Sequence, residues 1–596
     1  MNSATYILGI NAYHADGSAV LVRDGELVVA LEEERFRRIK HWAGFPAETI
    51  RKCLEIGGID GSQISHVAVS RDPRANLLRK AAFAFSNRMK ISNIVNRTRN
   101  LKKVHDIQTP LAEALGLSES GLPPLHFVEH HPSHLASTFF VSPFEDAAIC
   151  AIDGFGDFIS TSTAVGRGNQ IRMLGKVSYP HSLGVLYTAV TQHLGFANYG
   201  DEFKVMGLAP YGSPEYVDEV RRLVTLKPGG GFELTRKYFR HWDEGVEMDW
   251  EGGSPTMGPL YTPELSRIVG PPRAPGQPLE PKHENLARSV QAVYEECAFH
   301  VLNGLWSATG NPRLCMAGGC AMNSVANGKI RENTRFEEVY IQPASADSGT
   351  ALGAAYQVWN QILKKPRGFT MVHAYWGTAY PNADVSEIVR SRSDGAWRYT
   401  CETLREDELL DRTARLIADG NVVGWYQGRM EWGARALGNR SILADARRAD
   451  MRELINTKIK FREKFRPFAP SILEEAMHDY FVGAATDPFM QQVYPVRPEK
   501  RDILPAVTHV DGSGRLQTVR RDTNPRYYKL IAAFAEITGV PVVLNTSFNE
   551  NEPIVDTPEQ ALDCFFRTTM DAIVVNDVVV VRHPAGEKTM DSASTG

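Results

Sequence analysis

His130 and His134 stand four residues apart in His130-His131-Pro132-Ser133-His134. On a helix, both imidazoles leave the same face one turn apart and can point at one ion. The apolar run 147–152 reads as a buried strand that delivers Asp153 to an acidic turn, Asp153-Gly154-Phe155-Gly156-Asp157. A carboxylate at such a junction offers a third, harder ligand. Asp347 precedes a stretch that reads as helix to Trp359. Its carboxylate is either an N-cap, worth about 1 kcal/mol, or a fourth ligand returning to the histidine helix. A bare pair of histidines at this spacing reads as a hydrogen-bonded pair in packed structure; two added carboxylates favour a divalent metal.

The elements that must position these groups form a repeated pattern. Residues 6–11 read as a buried strand and 18–31 as a hairpin turning at Asp24-Gly25. Between them lies the polar loop Asn11-Ala12-Tyr13-His14-Ala15-Asp16-Gly17-Ser18, of a kind that presents backbone N–H groups and hydroxyls to an anion. A second strand-loop-strand unit spans 148–166. A third strand, from Leu314, enters Gly318-Gly319 and leads past Asn323 into a helix, which suits close approach to a nucleotide or phosphate. Together these three units are similar to the duplicated plan of actin, sugar kinases and the Hsp70 ATPase. The long helix expected at 283–309 has apolar residues at helical spacing and Gly310 as its stop, and it reads as core.

The second half carries different chemistry. Between residues 422 and 470, Arg429, Arg435, Arg440, Lys458, Lys460, Arg462, Lys464 and Arg466 alternate with glycines and apolar residues. Arginine forks pair bidentately with phosphate or carboxylate, so this pattern favours a polyanion pocket over solvated surface. Arg515 and Arg520 add two cations, and the buried strand ending in Asn545-Thr546-Ser547-Phe548-Asn549 adds amides and hydroxyls.

The 596-residue chain exceeds one core, and 43% hydrophobic with 23% charged residues is ordinary globular usage. A net charge of −4 sets up no field for nucleic acid or an anionic membrane. Seven scattered cysteines read as buried thiols of a reducing compartment, and no apolar run is long enough to span a bilayer or serve as a signal peptide, so a cytoplasmic protein is expected. The basic stretch 71–104 reads as a solvated helical cover, with RNA contact as the alternative. Residues 227–281 read as an elaborated insertion of the kind that shapes a substrate pocket.

Several motifs in order then resemble the NodU/CmcH family of O-carbamoyltransferases from about residue 5 to 585. They are Gly9-Ile-Asn-Ala-Tyr-His14, Glu32-Glu-Glu-Arg-Phe36 with Lys40-His41, His130-His131-x-x-His134, Gly200-Asp201-Glu202-Phe-Lys204, Gly318-Gly319-Cys-Ala-Met-Asn323, Arg462-Glu-x-Phe-Arg466-Pro-Phe-Ala-Pro470 and Asn545-Thr-Ser547-Phe-Asn549. The resemblance implies an α/β chain with an actin/Hsp70-like (Kae1-like) duplicated domain at 1–365, a YrdC-like α/β domain at 372–585 and a disordered tail at 586–596. It implies that ATP, with Mg2+, and carbamoyl phosphate form carbamoyl adenylate in the second domain, and that the intermediate passes to the first, where a small-molecule hydroxyl takes the carbamoyl group.

By motif, His130, His134, Asp153 and Asp347 would hold the metal. Two imidazoles and two carboxylates favour iron(II), with zinc or manganese also compatible. His14 would be the general base, with Lys40 nearby; the alternative for His14 is a loop histidine bonded to Asp16. Gly318, Gly319, Asn323, Lys460, Arg462, Arg466, Arg515, Asn545 and Ser547 would bind nucleotide and phosphate, and Asp201, Lys204 and Arg435 the substrates. The first loop departs from the family's His-Asp-x-Ser, reading His14-Ala15-Asp16-Gly17-Ser18. Neither nucleic acid nor membrane is an expected partner, and a homodimer is compatible with the sequence. The rival reading is a tRNA-modifying enzyme that uses the same two domain types to make threonylcarbamoyladenosine from threonine, bicarbonate and ATP.

Overall fold

The computed structural model of the chain describes residues 4–77, 79, 80, 83, 106–246, 248, 249, 252–381, 385–392 and 399–583. Most of the basic stretch 71–104 and the tail 586–596 lie outside the described residues. The chain divides into two compact units: residues 1–372 with 432–434 and 491–493, and residues 373–431, 435–490 and 494–596.

In the N-terminal unit, β1 (Tyr6–Asn11), β2 (Ser18–Arg23) and β3 (Glu26–Glu32) form an antiparallel meander. It turns at Asp24 (φ 49°) and Gly25 (φ 90°), two left-handed residues that give the tight turn expected from that dipeptide. β4 (Ile64–Val69) lies parallel to β1, and β5 (Leu125–Phe127) parallel to β4, so the sheet order is β3-β2-β1-β4-β5. A second sheet repeats this plan. β6 (Asp146–Gly156), β7 (Ile159–Arg167) and β8 (Gln170–Ser178) make the meander; β9 (Arg313–Ala317) and β10 (Glu338–Ile341) add parallel strands on the other side of β6. Its order, β8-β7-β6-β9-β10, matches the first strand for strand and direction for direction. The duplication expected from sequence is therefore present in the topology itself.

Helices carry the chemistry to these sheets. α1 (Ala47–Gly57) packs its apolar face on β2 and β3, and its start is satisfied by buried Glu33, which accepts from the Thr49 N–H at 2.8 Å. Glu33 of the acidic motif is thus a helix cap. α2 (His130–Phe139) is buried at every residue but Pro132, and its first N–H, that of His130, donates to Asp157 at 3.0 Å. α3 (Pro281–Thr309) is the long core helix, stopped by left-handed Gly310 as expected. α4 (Thr350–Tyr356) crosses α2 so closely that a Cβ on Gly353 would lie 1.7 Å from the Ser133 carbonyl oxygen. That contact brings the turn before α4, and Asp347 with it, onto the histidine helix.

The C-terminal unit is built on an eight-stranded mixed sheet. Its strands are β11 (Tyr399–Thr403), β12 (Val423–Tyr426), β13 (Arg440–Asp445), β14 (Ala469–Leu473), β15 (Gln517–Val519), β16 (Val542–Ser547), β17 (Ala572–Val575) and β18 (Val578–Arg582), in the order β11-β18-β17-β12-β13-β16-β14-β15. Alternate residues go to opposite faces. Val423, Trp425, Ala572 and Val574 pack with α5 (Glu406–Ala418) and α7 (Pro525–Thr538). Tyr426, Ile573 and Val575 pack with α6 (Met451–Lys458) on the other face. Both faces are covered, which explains the apolar runs in these strands. No helix among the described residues is long and apolar enough to cross a membrane.

Candidate metal centre and anion pocket

In the N-terminal unit, α2 aims the two imidazoles at each other, with His134 Nε2 3.0 Å from His130 Nε2. The end of β6 supplies Asp153, whose Oδ2 lies 3.3 Å from His130 Nε2 and 3.9 Å from His134 Nε2. The turn before α4 supplies Asp347, whose Oδ1 lies 3.5 Å from both ring nitrogens. One ligand atom from each of these four buried residues falls within 4.8 Å of the other three. Asp347 makes no side-chain cap to its own helix, so the ligand alternative for this residue is the one the geometry favours.

The donor set fits a divalent cation. Asp347 Oδ1 and His134 Nδ1 are buried without a hydrogen-bond partner, a state that carries a desolvation cost of about 1–3 kcal/mol per group. Burial and Asp347 push the Asp153 carboxyl up, but the His130 and His134 rings outweigh them and hold it below the usual carboxylate range. Burial opposes the charge of Asp347 too, and His14, His134 and His130 bring it well below that range. Burial, then His134, pushes His130 down, so its ring is neutral and able to ligate. His131 is not part of the set. Burial and its two neighbouring histidines push it down to about 3, and its nitrogens bond Ser162 Oγ at 2.9 Å and the Ile159 carbonyl at 3.0 Å.

The glycine pair serves the same centre. A Cβ on Gly318 (φ 91°) would lie 2.3 Å from the Ile152 carbonyl oxygen, and the Gly319 N–H donates to Asp153 Oδ1 at 2.8 Å. The close approach expected toward a nucleotide is made to β6 and its carboxylate. Asn323 caps the short helix Ser324–Gly328, accepting from the Ala326 N–H at 3.0 Å, and exchanges hydrogen bonds with Gln291. Its amide is therefore engaged on both sides within the fold.

His14 is bonded to this histidine–carboxylate set through Asp347: its Nδ1 lies 2.7 Å from Asp347 Oδ2. Burial opposes charge on this ring, but Asp347 outweighs it and raises the pKa. Asp16 is instead 2.8 Å from His41 Nδ1, while Glu34 accepts from the His41 N–H at 2.9 Å. Burial works against charge on His41, yet Asp16 and then Glu34 bring it up to about 9. Lys40 is exposed, within electrostatic reach of Glu34 and His41. Asp201 and Lys204, expected to bind substrate, pair with each other at 2.9 Å across one helical turn.

Sequence reasoning missed Tyr199, whose ring meets His41 edge-on at 5.3 Å. Burial, then Asp347, Asp16 and Asp153, raise its phenol well above 10, so it stands as a neutral phenol within electrostatic reach of both histidine–carboxylate groups. The signal was its place beside Gly200-Asp201, but no spacing rule links residue 199 to residues 16, 41 or 347.

In the C-terminal unit the basic run separates into two sets. Arg435, Arg462, Arg466 and Arg515 come within electrostatic reach of one another, opposed by Glu463 and Asp487. Burial first, and neighbouring guanidinium groups second, push Arg435 down to about 10, Arg462 to about 9 and Arg515 well below its ordinary value. All remain cations at neutral pH. Arg435 Nε and Arg515 Nε are buried without an acceptor. Such an array is stabilised by a polyanion. Arg435 stands on a loop folded around Glu431, which accepts from the Leu437, Asn439 and Arg440 N–H groups at 2.7, 2.8 and 3.1 Å.

The other set is hydrogen-bonded within the fold. Buried Lys460 donates to the Asn549 carbonyl at 2.7 Å, to Asn549 Oδ1 at 2.6 Å and to the Ser547 carbonyl, tying α6 to the end of β16. Ser547 Oγ donates to Asn549 Oδ1 at 2.9 Å in the same knot. Asn545 is buried in a network with Ser471 Oγ (3.0 Å) and Gln517 Oε1 (2.9 Å). Arg440 lies 3.7 Å from the Tyr426 ring centroid and donates to carbonyls of the loop 427–439. Lys460 and Ser547 are thus bonded into this knot, while Asn545 engages its neighbours through Nδ2 and keeps a buried Oδ1 without a hydrogen-bond partner.

Two family models match the chain: carbamoyltransferase N-terminus over residues 6–356 and carbamoyltransferase C-terminus over residues 414–582. Nodulation protein NolNO of Sinorhizobium fredii is 40% identical over 583 residues, covering 96% of this chain and 80% of that protein. The protein sll1178 of Synechocystis is 39% identical over 619 residues, covering 98% of both chains. The 3'-hydroxymethylcephem-O-carbamoyltransferase of Amycolatopsis lactamdurans is 39% identical over 242 residues, or 41% of this chain and 43% of that one.

Proposed function

Because the chain belongs to the carbamoyltransferase family and is therefore a transferase enzyme, we propose that it is an ATP-dependent O-carbamoyltransferase acting on a hydroxyl of a small molecule. In this reading the C-terminal unit, of YrdC-like type, cleaves carbamoyl phosphate with one water to carbamate and phosphate; a carbamate oxygen then attacks the α-phosphorus of ATP, the bond to the β-phosphate breaks, and carbamoyl adenylate forms as pyrophosphate leaves. The observation that carries the assignment is the array of Arg435, Arg462, Arg466 and Arg515, four cations faced by two acids. Phosphoryl and adenylyl chemistry is catalysed mainly by positioning and charge stabilisation, which such an array supplies.

Transfer is assigned to the N-terminal unit, where carbamoyl adenylate meets the acceptor. His130, His134, Asp153 and Asp347 would hold the divalent metal, iron(II) by preference of the donor set, and the bound ion would supply Lewis-acid stabilisation of developing negative charge. His14 donates from Nδ1 to Asp347 and so keeps Nε2 as the basic nitrogen, suited to take the proton of the acceptor hydroxyl. The oxygen freed of that proton attacks the carbamoyl carbon, the bond to the AMP phosphate breaks, and AMP leaves. Lys40, near His41, would orient the acceptor or offset charge. Buried carboxylate–imidazole pairs fix tautomer and direction for this step. Pyrophosphate release from ATP, measured on the full-length protein without acceptor, tests the first half. Release that requires carbamoyl phosphate supports the proposal. Release that requires threonine and bicarbonate instead would replace it with the tRNA-modification reading.

A further inference from the structure

Phe461 stands between the two sets of basic residues and belongs to neither. It follows Lys460, which is anchored to Ser547 and Asn549, and precedes Arg462 of the arginine array. Its φ of 44° is left-handed, a conformation that costs a bulky residue on the order of 1–3 kcal/mol and persists only where its surroundings hold it. Here both flanks are clamped. The Lys460 N–H donates to the Ile455 carbonyl at 2.9 Å, the Arg462 N–H donates to the Asn456 carbonyl at 3.1 Å, and Arg462 Nε donates to Asn456 Oδ1 at 2.7 Å.

The strained backbone does not bury the ring. At 55% exposure, Phe461 is the most exposed large apolar side chain among the described residues. Its ring makes no aromatic or cation–π contact there, whereas the guanidinium of Arg462 turns back over Phe468 at 4.8 Å. A scattered exposed aromatic needs no explanation. One that is held out by a strained, doubly clamped backbone, one residue from a phosphate-type array, presents a flat apolar face where a nucleotide would extend beyond its phosphates.

We propose that Phe461 is the platform on which the nucleobase stacks when the arginine array holds the phosphates of ATP. The inference rests on the nucleotide reading of that array. It adds a subsite for an aromatic base, which distinguishes ATP from inorganic polyphosphate. Base–aromatic stacking of this kind tolerates any base but requires a ring.

Calorimetric titration of the full-length protein with ATP and with inorganic tripolyphosphate, both with Mg2+, tests it on the wild type, Phe461→Gly and Phe461→Trp. Glycine takes a left-handed φ freely, so Phe461→Gly removes the ring without demanding a new strain, and its melting temperature should not fall. The expected result is an ATP Kd raised about tenfold in Phe461→Gly with tripolyphosphate affinity unchanged, and near wild-type ATP affinity in Phe461→Trp. Unchanged ATP affinity in Phe461→Gly, with tripolyphosphate still bound, would overturn the platform while leaving the array intact. Failure of the wild type to bind either probe would overturn the nucleotide reading of the array, and the platform with it.

Discussion

The histidine–aspartate cluster and the arginine array are incomplete in opposite senses. In the N-terminal unit, two imidazole nitrogens meet at 3.0 Å beside two carboxylates, one of which keeps an unpartnered oxygen. In the C-terminal unit, burial and neighbouring guanidinium groups, Arg466 among them, push Arg435, Arg462 and Arg515 down, and two acids face the array. The first arrangement is stabilised by a cation and the second by a polyanion. A single chain thus carries one donor set that fits a divalent cation and one array of cations that fits a polyanion.

The two sites also differ in what holds them. The metal candidates sit at the ends of regular elements: one face of α2, the end of β6 and the turn before α4. Three of the arginines sit on loops, with Arg435 positioned by Glu431 and Arg462 by Asn456, and Arg515 ends the short strand Ser513–Arg515. Loss of one ligand should therefore empty the first site, whereas loss of one arginine weakens the second. The largest expected effect is on metal content. Asp347→Ala, purified and analysed by elemental mass spectrometry, should retain less than about a tenth of the wild-type divalent metal, since it removes a ligand and the partner of His14. Full retention of metal would break the contrast.

A smaller effect sharpens it. His41, paired with Asp16, is protonated in the folded chain up to about pH 9, against about 6.5 when unfolded. Its folded pKa is raised, so its contribution to stability is complete below about pH 6.5 and is lost as pH rises to about 9. Asp16→Asn should flatten the fall of the melting temperature over that range by about 2 °C. Differential scanning calorimetry at several pH values checks this, and an unchanged slope would show that the pair carries no such linkage.

How much of this was legible in the sequence follows from the same contrast. Helical spacing alone put His130 and His134 on one face, and a carboxylate at a strand end marked Asp153, because period and register are local properties of the chain. The strand-loop-strand repeats at 6–31 and 148–166 likewise showed the duplication that the two sheets display. Side-chain partners across the fold were not legible. Lys460 and Arg462 look alike in a basic run; what separates them is that β16 ends at Lys460 and presents it with carbonyls. Asn323 matched a phosphate-type turn, yet its amide is taken by a helix N-terminus and Gln291. Asp16 and His41, 25 residues apart, form a pair that no periodicity marks.

The measurement that tests the central claim most directly is carbamoyl phosphate-dependent pyrophosphate release, compared between Asp347→Ala and Arg515→Ala with no acceptor present. Arg515 is the informative choice because Lys460→Ala would undo a buried structural knot. If adenylate formation belongs to the arginine array alone, Asp347→Ala releases pyrophosphate within about threefold of wild type, and Arg515→Ala falls by about a hundredfold. Equal loss in both variants, or activity retained in Arg515→Ala, would contradict the division of the reaction between the two sites.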